Sequence, residues 1–190
     1  MGKGTSDQGD SLWLYGAVRR LARAMLSFFY HRTEVVGVEH LPEAGAVLFC
    51  GNHRNSIVDP MVLLAHTNRD VRFAAADVIF KNPVLRIFLN AVGAVPIRRK
   101  QDHGSGPQGR VDNSAAFQAL FKVLKDGGSM GIFPEGISHD ESQLAPFKTG
   151  PARLALGAAS DGIGTAVSIV PCGLYYTNPG RYRSSIVLRF

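Results

Sequence analysis

Short runs rich in apolar and β-branched residues recur along nearly the whole chain, and most are followed by a segment with helical spacing. The runs are "TEVVGVEHLP", "AVLFC", "VRFAAA", "AVPI", "SMGIF", "AVSIVPCGLYY" and "SSIVLRF". This alternation constrains the fold more than any other feature. Successive strands joined through helices pair in parallel, and the helices then cover the sheet. The wholly apolar "AVLFC" (46–50) fits a strand buried on both faces. The pattern predicts an α/β layered domain with a largely parallel sheet flanked by helices, preceded by an N-terminal amphipathic helix.

The helical segments carry their own signals. Residues 60–66 read as a helix. "KNPVLRIFLNAVG" places Asn82 as an N-cap and Pro83 at the first helical position. Asn113 is expected to cap a helix carrying Phe117, Leu120, Phe121 and Leu124, stopped by Asp126-Gly127-Gly128. "GPARLALGAAS" is a further helix, and the glycine-rich 101–112 is a loop. Residues 12–30 form one helix with Leu14, Val18, Leu21, Met25, Phe28 and Phe29 on one face and Arg19, Arg20 and Arg23 opposite. Two placements fit that pattern: the apolar face enters a membrane interface, or it packs on the chain's own domain. The expected organisation is a tail and helix over 1–32 and one domain over 33–190. The last strand runs up to Phe190 with no turn or polar tail, so the natural domain is expected to continue, or the chain to be a fragment.

Length and composition narrow the rest. The chain has 190 residues, enough for one domain with a real core, and 45% hydrophobic with 19% charged residues excludes a disordered chain. A net charge of +6 suits an anionic partner or serves solubility. Cys50 and Cys172 lie in apolar runs, which points to buried thiols in a reducing compartment. His31, His40, His53, His66, His103 and His139 show no metal-ligand spacing, so no metal is expected. There is no clean run of about 18 apolar residues, and residues 1–10 do not lead into a secretory signal.

Two stretches that leave apolar runs concentrate chemistry: "CGNHRNSIVDP" (50–60) and "GIFPEGISHD" (131–140). A neutral histidine oriented by a carboxylate can take a proton from an alcohol near pH 7. His53 and Asp59 are six positions apart, about 600° on a helix, so they would face apart on one straight helix. A working pair therefore needs His53 in the loop and Asp59 turned back toward it. The competing assignment is structural: Asp59-Pro60 as an N-cap pair, with Ser56 and Asp59 as a capping box. No Gly-x-Ser-x-Gly elbow and no Gly-rich phosphate loop with Lys-Ser/Thr is present. Nor is there an aromatic-interleaved basic motif for nucleic acid.

Taken together, four ordered motifs give the chain a family resemblance. Asn52, His53 and Asp59; "GAVPIRR" with Gly93 and Arg99; Phe133, Pro134, Glu135 and Gly136; and "VSIVP" ending at Pro171 are similar to the motifs of the glycerophosphate acyltransferase family. The match covers about residues 45–175. Five residues separate His53 from Asp59 where four are usual, and "ISHD" stands where the third motif usually continues Thr-Arg-Ser. Both departures, and "LAPFKTGPARLALGA", resemble a subgroup that acylates glycerol-3-phosphate or dihydroxyacetone phosphate.

The resemblance implies direct acyl transfer from acyl-CoA or acyl-carrier protein as co-substrate, with no cofactor. His53 is then the general base and Asp59 its orienting partner. Arg99 binds the acceptor phosphate, while Glu135 and Gly136 shape the acceptor site. Ser138 replaces the third motif's usual Arg, and Lys148 supplies charge in its stead. The implied setting is a membrane surface on the cytoplasmic side; no oligomeric state follows. A lysophosphatidate or other lysophospholipid acyltransferase shares these motifs. From a different class, a non-catalytic lipid-binding module would keep the fold alone.

Overall fold

The structure is a computed structural model that describes residues 5–99, 102, 112–139, 141–160 and 166–190. Lys100, His103 and most of the expected 101–112 loop lie outside the described residues. The elements follow in chain order: α1 (Thr5–Phe29), β1 (Arg32–Val36), β2 (Ala46–Gly51), α2 (Val58–His66), β3 (Val71–Ala76), α3 (Pro83–Ala91), β4 (Val95–Ile97), α4 (Ser114–Lys125), β5 (Ser129–Ile132), α5 (Gly150–Ser160), β6 (Val167–Tyr176) and β7 (Ser185–Arg189). Single 3-10 turns follow β1 and β3.

Seven strands form one sheet in the order β1-β7-β6-β2-β5-β3-β4. Every neighbouring pair is parallel except β6 and β7, which are joined by a short connection and run antiparallel. Five strands therefore point one way, and β1 and β7 the other.

β2 lies at the centre of the packing, and residues 46–49 are essentially inaccessible to solvent. Its side chains alternate between two layers, as the period of a strand requires. Val47 and Phe49 pack with α1 and α2, among them Val62, Leu63 and Leu26. Ala46 and Leu48 pack with Met130, Leu120, Leu124 and Leu154 of β5, α4 and α5.

The Asn82 cap forms as expected: its side chain accepts from Val84 N and Leu85 N. Asn113 differs. Its amide spans the backbone of Arg98, with Oδ1 accepting from Arg98 N and Nδ2 donating to Arg98 O, each at 2.9 Å. The Asp112 carboxylate instead accepts from Ser114 N at 2.8 Å. Facing a strand-end peptide, the amide uses both its donor and its acceptor, whereas a helix N-terminus offers only donors and would leave Nδ2 without a backbone partner.

α1 begins at Thr5 rather than at residue 12, and its inward face also differs from expectation. Tyr15, Val18, Ala22 and Leu26 are the buried positions, whereas Leu14, Leu21, Met25, Phe28 and Phe29 are exposed. The Tyr15 hydroxyl donates to Val71 O and accepts from Val71 N. Arg19 and Arg23 turn toward the domain: Arg19 Nη2 donates to Arg69 O at 2.6 Å, and Arg23 Nε to Ala65 O at 2.7 Å. The Ala65 carbonyl lies in the last turn of α2, where intrahelical donors run out, and Arg23 supplies one, while Arg19 ties the loop that follows. The expected split into an apolar and an arginine face is thus replaced by an inner face of Tyr15, Val18, Ala22 and Leu26, braced by Arg19 and Arg23, and an apolar outer face.

Candidate active site

The site forms where the parallel strands end, as expected of open α/β sheets. β2 runs out at Gly51, and Asn52 then straps the loop to β6. Asn52 Nδ2 donates to Leu174 O at 2.8 Å, and Asn52 Oδ1 accepts from Leu174 N at 2.6 Å. His53 follows in the loop and Asp59 in the first turn of α2.

The structure brings these two side chains together, with His53 Nδ1 2.9 Å from Asp59 Oδ2. Asp59 is wholly buried. Its Oδ2 also accepts from Asn55 N at 2.8 Å, and its Oδ1 from the Tyr176 hydroxyl at 2.5 Å. The capping box expected between Ser56 and Asp59 falls on Asn55 instead, whose N–H donates to Asp59 and whose Oδ1 accepts from Val58 N at 3.3 Å. Asp59 turns back over the loop. An ionised carboxylate only accepts, so the network assigns the proton to Nδ1 and leaves the Nε2 lone pair for a substrate.

Two rings fix the imidazole plane. Phe133 stacks on His53 with centroids 4.1 Å apart and planes 12° apart, and Phe73 lies beyond Phe133 at 6.5 Å. Gly131 makes room for this stack: a Cβ there would lie 2.2 Å from Phe73 Cε1. Tyr176 was not singled out from sequence. Its signal is the period of two through Val170, Cys172, Leu174 and Tyr176, which places its hydroxyl on the inner face. Burial, and then the Asp59 charge, drive the Tyr176 hydroxyl far up, so it remains a donor.

Glu135 is 2% exposed and lies beneath the cleft, not in its wall. It accepts from His53 N at 2.8 Å, from Ala145 N at 2.8 Å and from the ring of His139. Burial pulls its carboxyl up, but the bonds from Ala145, His139 and His53 outweigh that and hold it below the usual carboxylate range. Both oxygens are engaged by the protein, so Glu135 supports the site from below.

A cleft of about 170 Å³ opens beside His53. His53, Arg99, Phe133 and Gly136 line it together with apolar side chains of α2, β3, α3 and β4, including Leu64, Leu85, Phe88 and Ile97. Arg99 is held by Asp102, Nε to Oδ2 at 2.7 Å and Nη2 to Oδ1 at 3.3 Å, whereas Arg98 turns toward Asp77 at 3.9 Å. Gly136 has φ +72°, and a Cβ there would lie 2.7 Å from Lys148 Nζ, so the lysine crosses the glycine at the cleft's edge. Ser138 is half-buried and is not part of the lining. The site thus unites His53, Asp59, Arg99, Gly136 and Lys148, with Glu135 as its floor and Ser138 outside.

Cys50 and Cys172 are free, and burial raises their thiols to about 11 and about 12, which keeps both protonated and poorly nucleophilic. Among the described residues no group of three or more His, Cys, Asp and Glu side chains is placed to hold a metal ion.

Fold and site define an α/β protein with a histidine–carboxylate pair at the carboxyl edge of its sheet, opening on an apolar cleft. The chain belongs to the acyltransferase family, whose profile matches residues 32–175. Glycerol-3-phosphate O-acyltransferase 2 of Saccharomyces cerevisiae is 44% identical over 81 residues, which cover 43% of this chain and 11% of that protein. The 1-acyl-sn-glycerol-3-phosphate acyltransferase of Borreliella burgdorferi is 28% identical over 144 residues, covering 76% of this chain and 51% of that one. The match therefore spans about a tenth of the yeast protein and about half of the Borreliella one. The crystal structure of the 1-acyl-sn-glycerophosphate (LPA) acyltransferase PlsC from Thermotoga maritima shares the fold, with a TM-score of 0.68 at 16% identity, over 98% of this chain and 71% of that chain.

Proposed function

We propose that this chain is an O-acyltransferase that moves a fatty acyl group from a thioester, acyl-CoA or acyl-carrier protein, to a hydroxyl of glycerol-3-phosphate or dihydroxyacetone phosphate. The observation that carries this is the His53–Asp59 pair, 2.9 Å apart, at the polar end of an apolar cleft that Arg99 also lines. A non-catalytic module has no use for a buried carboxylate held by three donors against that histidine.

In this mechanism His53 Nε2 takes the proton of the acceptor hydroxyl as its oxygen attacks the thioester carbonyl. Asp59 steadies the imidazolium through Nδ1. The C–S bond then breaks, and the imidazolium returns its proton to the departing thiolate. No acyl-enzyme forms. Arg99 takes the acceptor phosphate, exchanging its Asp102 carboxylate for phosphate oxygens in the same forked geometry. Lys148 adds a second cation beside Gly136. The apolar walls receive the acyl chain.

The 44% identity to the yeast glycerol-3-phosphate enzyme and the "SHD" sequence after Gly136 support the water-soluble acceptor. A lysophosphatidate acceptor is the second reading, supported by the Borreliella relative over 76% of this chain. We further assign the protein to a membrane surface, on the cytoplasmic side, through the exposed apolar side of α1. Trp13 and Phe28 are 71% and 73% exposed there, and among the described residues no helix is long and apolar enough to cross a membrane.

The test is acyl transfer from labelled palmitoyl-CoA with glycerol-3-phosphate, dihydroxyacetone phosphate and lysophosphatidate offered in parallel. Transfer to either of the first two is expected, and a folded His53→Ala protein should lose roughly two to four orders of magnitude in turnover. Transfer to lysophosphatidate alone selects the second reading. No transfer to any acceptor, or near-normal turnover in His53→Ala, overturns the mechanism.

A further inference from the structure

We propose that His139 is a positioning residue for His53, acting through Glu135 and through the main chain; this rests on the acyl-transfer reading. His53 sits in a loop, outside the regular bonding of β2 and α2. Its two peptide groups are nonetheless tied, and both ties lead to the same turn. His53 N–H donates to Glu135 Oε1 at 2.8 Å, and His53 O accepts from His139 N–H at 3.1 Å. The circuit closes through the His139 ring, whose Nε2 bonds Glu135 Oε2. Two histidine–carboxylate pairs thus meet at His53: Asp59 holds its ring, and Glu135 with His139 holds its backbone.

Each part has a definite state. Glu135 is held ionised by its donors and can only accept, so His139 Nε2 carries the proton. His139 Nδ1 is buried and has no hydrogen-bond partner among the described residues. Among the described residues the ring therefore works through one nitrogen only. Without that donor, one backbone N–H is left on each oxygen, His53 on Oε1 and Ala145 on Oε2, and the carboxylate holds His53 N–H less firmly. Proton transfer depends on the base being held close to its productive position.

The single working nitrogen makes the test selective. Glutamine places its amide nitrogen about where the imidazole carries Nε2, whereas asparagine reaches only to the position of Nδ1. His139→Leu and His139→Asn are expected to lower kcat roughly 10- to 100-fold with KM for both substrates unchanged, and His139→Gln to restore most of it. In parallel, hydrogen exchange of the His53 amide, measured without substrate, should speed up in the Leu and Asn proteins and return to the wild-type rate in Gln. If the Leu protein fails to fold, the Asn and Gln pair decides. Wild-type kcat and His53 exchange in the Leu or Asn variant, or equal losses in Asn and Gln, would overturn the proposal. A wild-type protein that transfers no acyl group defeats the acyl-transfer reading instead, and the exchange measurement still judges the clamp.

Discussion

Asp59 is a buried carboxylate whose two oxygens meet three donors, and each donor has a separate effect. Tyr176→Phe removes one donor and touches no substrate, so we expect roughly a tenfold loss of turnover with the fold retained, read from steady-state kinetics and a thermal melt. Arg99→Lys keeps the charge and loses the fork, so KM should rise for the phosphorylated acceptor more than for the acyl donor. Glu135 ties stability to pH. Its folded carboxyl lies below the ordinary value of 4.5, so the stabilisation is complete above that value and is lost as pH falls through the folded value. Melting temperature should therefore drop in acid, and Glu135→Gln should be less stable at neutral pH and lack that slope. Of these side chains, His53, Asp59 and Arg99 were legible because the motifs place them just past apolar strands. Tyr176 was not, because it lies 117 positions from Asp59 and only the closed sheet brings them together.

At the scale of elements, the imidazole inherits its position from a strand-to-strand fit. Gly131 pairs directly with Phe73 across β5 and β3, and Phe73 leans over it toward Phe133. Gly131→Ala should cost about 1–3 kcal/mol and also lower turnover, since the displaced rings carry His53. Chemical denaturation and an activity assay on the same preparation check both. The strands, and the Asn82–Pro83 start of α3, could be read in advance because a wholly apolar strand and a local cap depend only on neighbouring residues. The inner face of α1 could not. Leu21 and Phe28 are more apolar than Ala22, yet Ala22 faces inward because close approach to α2 favours a small residue and because the carbonyls of Ala65 and Arg69 draw Arg23 and Arg19 to that side.

For the molecule as a whole, this reassignment changes the membrane prediction. Leu21, Met25 and Phe28 replaced together by Ser should release the protein from anionic vesicles in a flotation assay and leave it folded. Arg20→Gln should weaken binding at low salt, by about 1 kcal/mol, whereas Arg19→Gln and Arg23→Gln should lower the melting temperature and leave flotation unchanged. Deleting residues 1–30 should cause aggregation, because Tyr15, Val18, Ala22, Leu26 and Tyr30 belong to the core. The reversed direction of β1 and β7 has a wider consequence. It returns the end of α1 to the same rim of the sheet as the catalytic loops, so that Tyr30 lies 6.0 Å from Tyr176. A chain adsorbed through that helix would keep its reaction centre within reach of the lipid plane. Its encounters with an acyl donor dissolved in that plane would then follow lateral diffusion in two dimensions, and surface density, not bulk concentration, would set how often the cleft is filled.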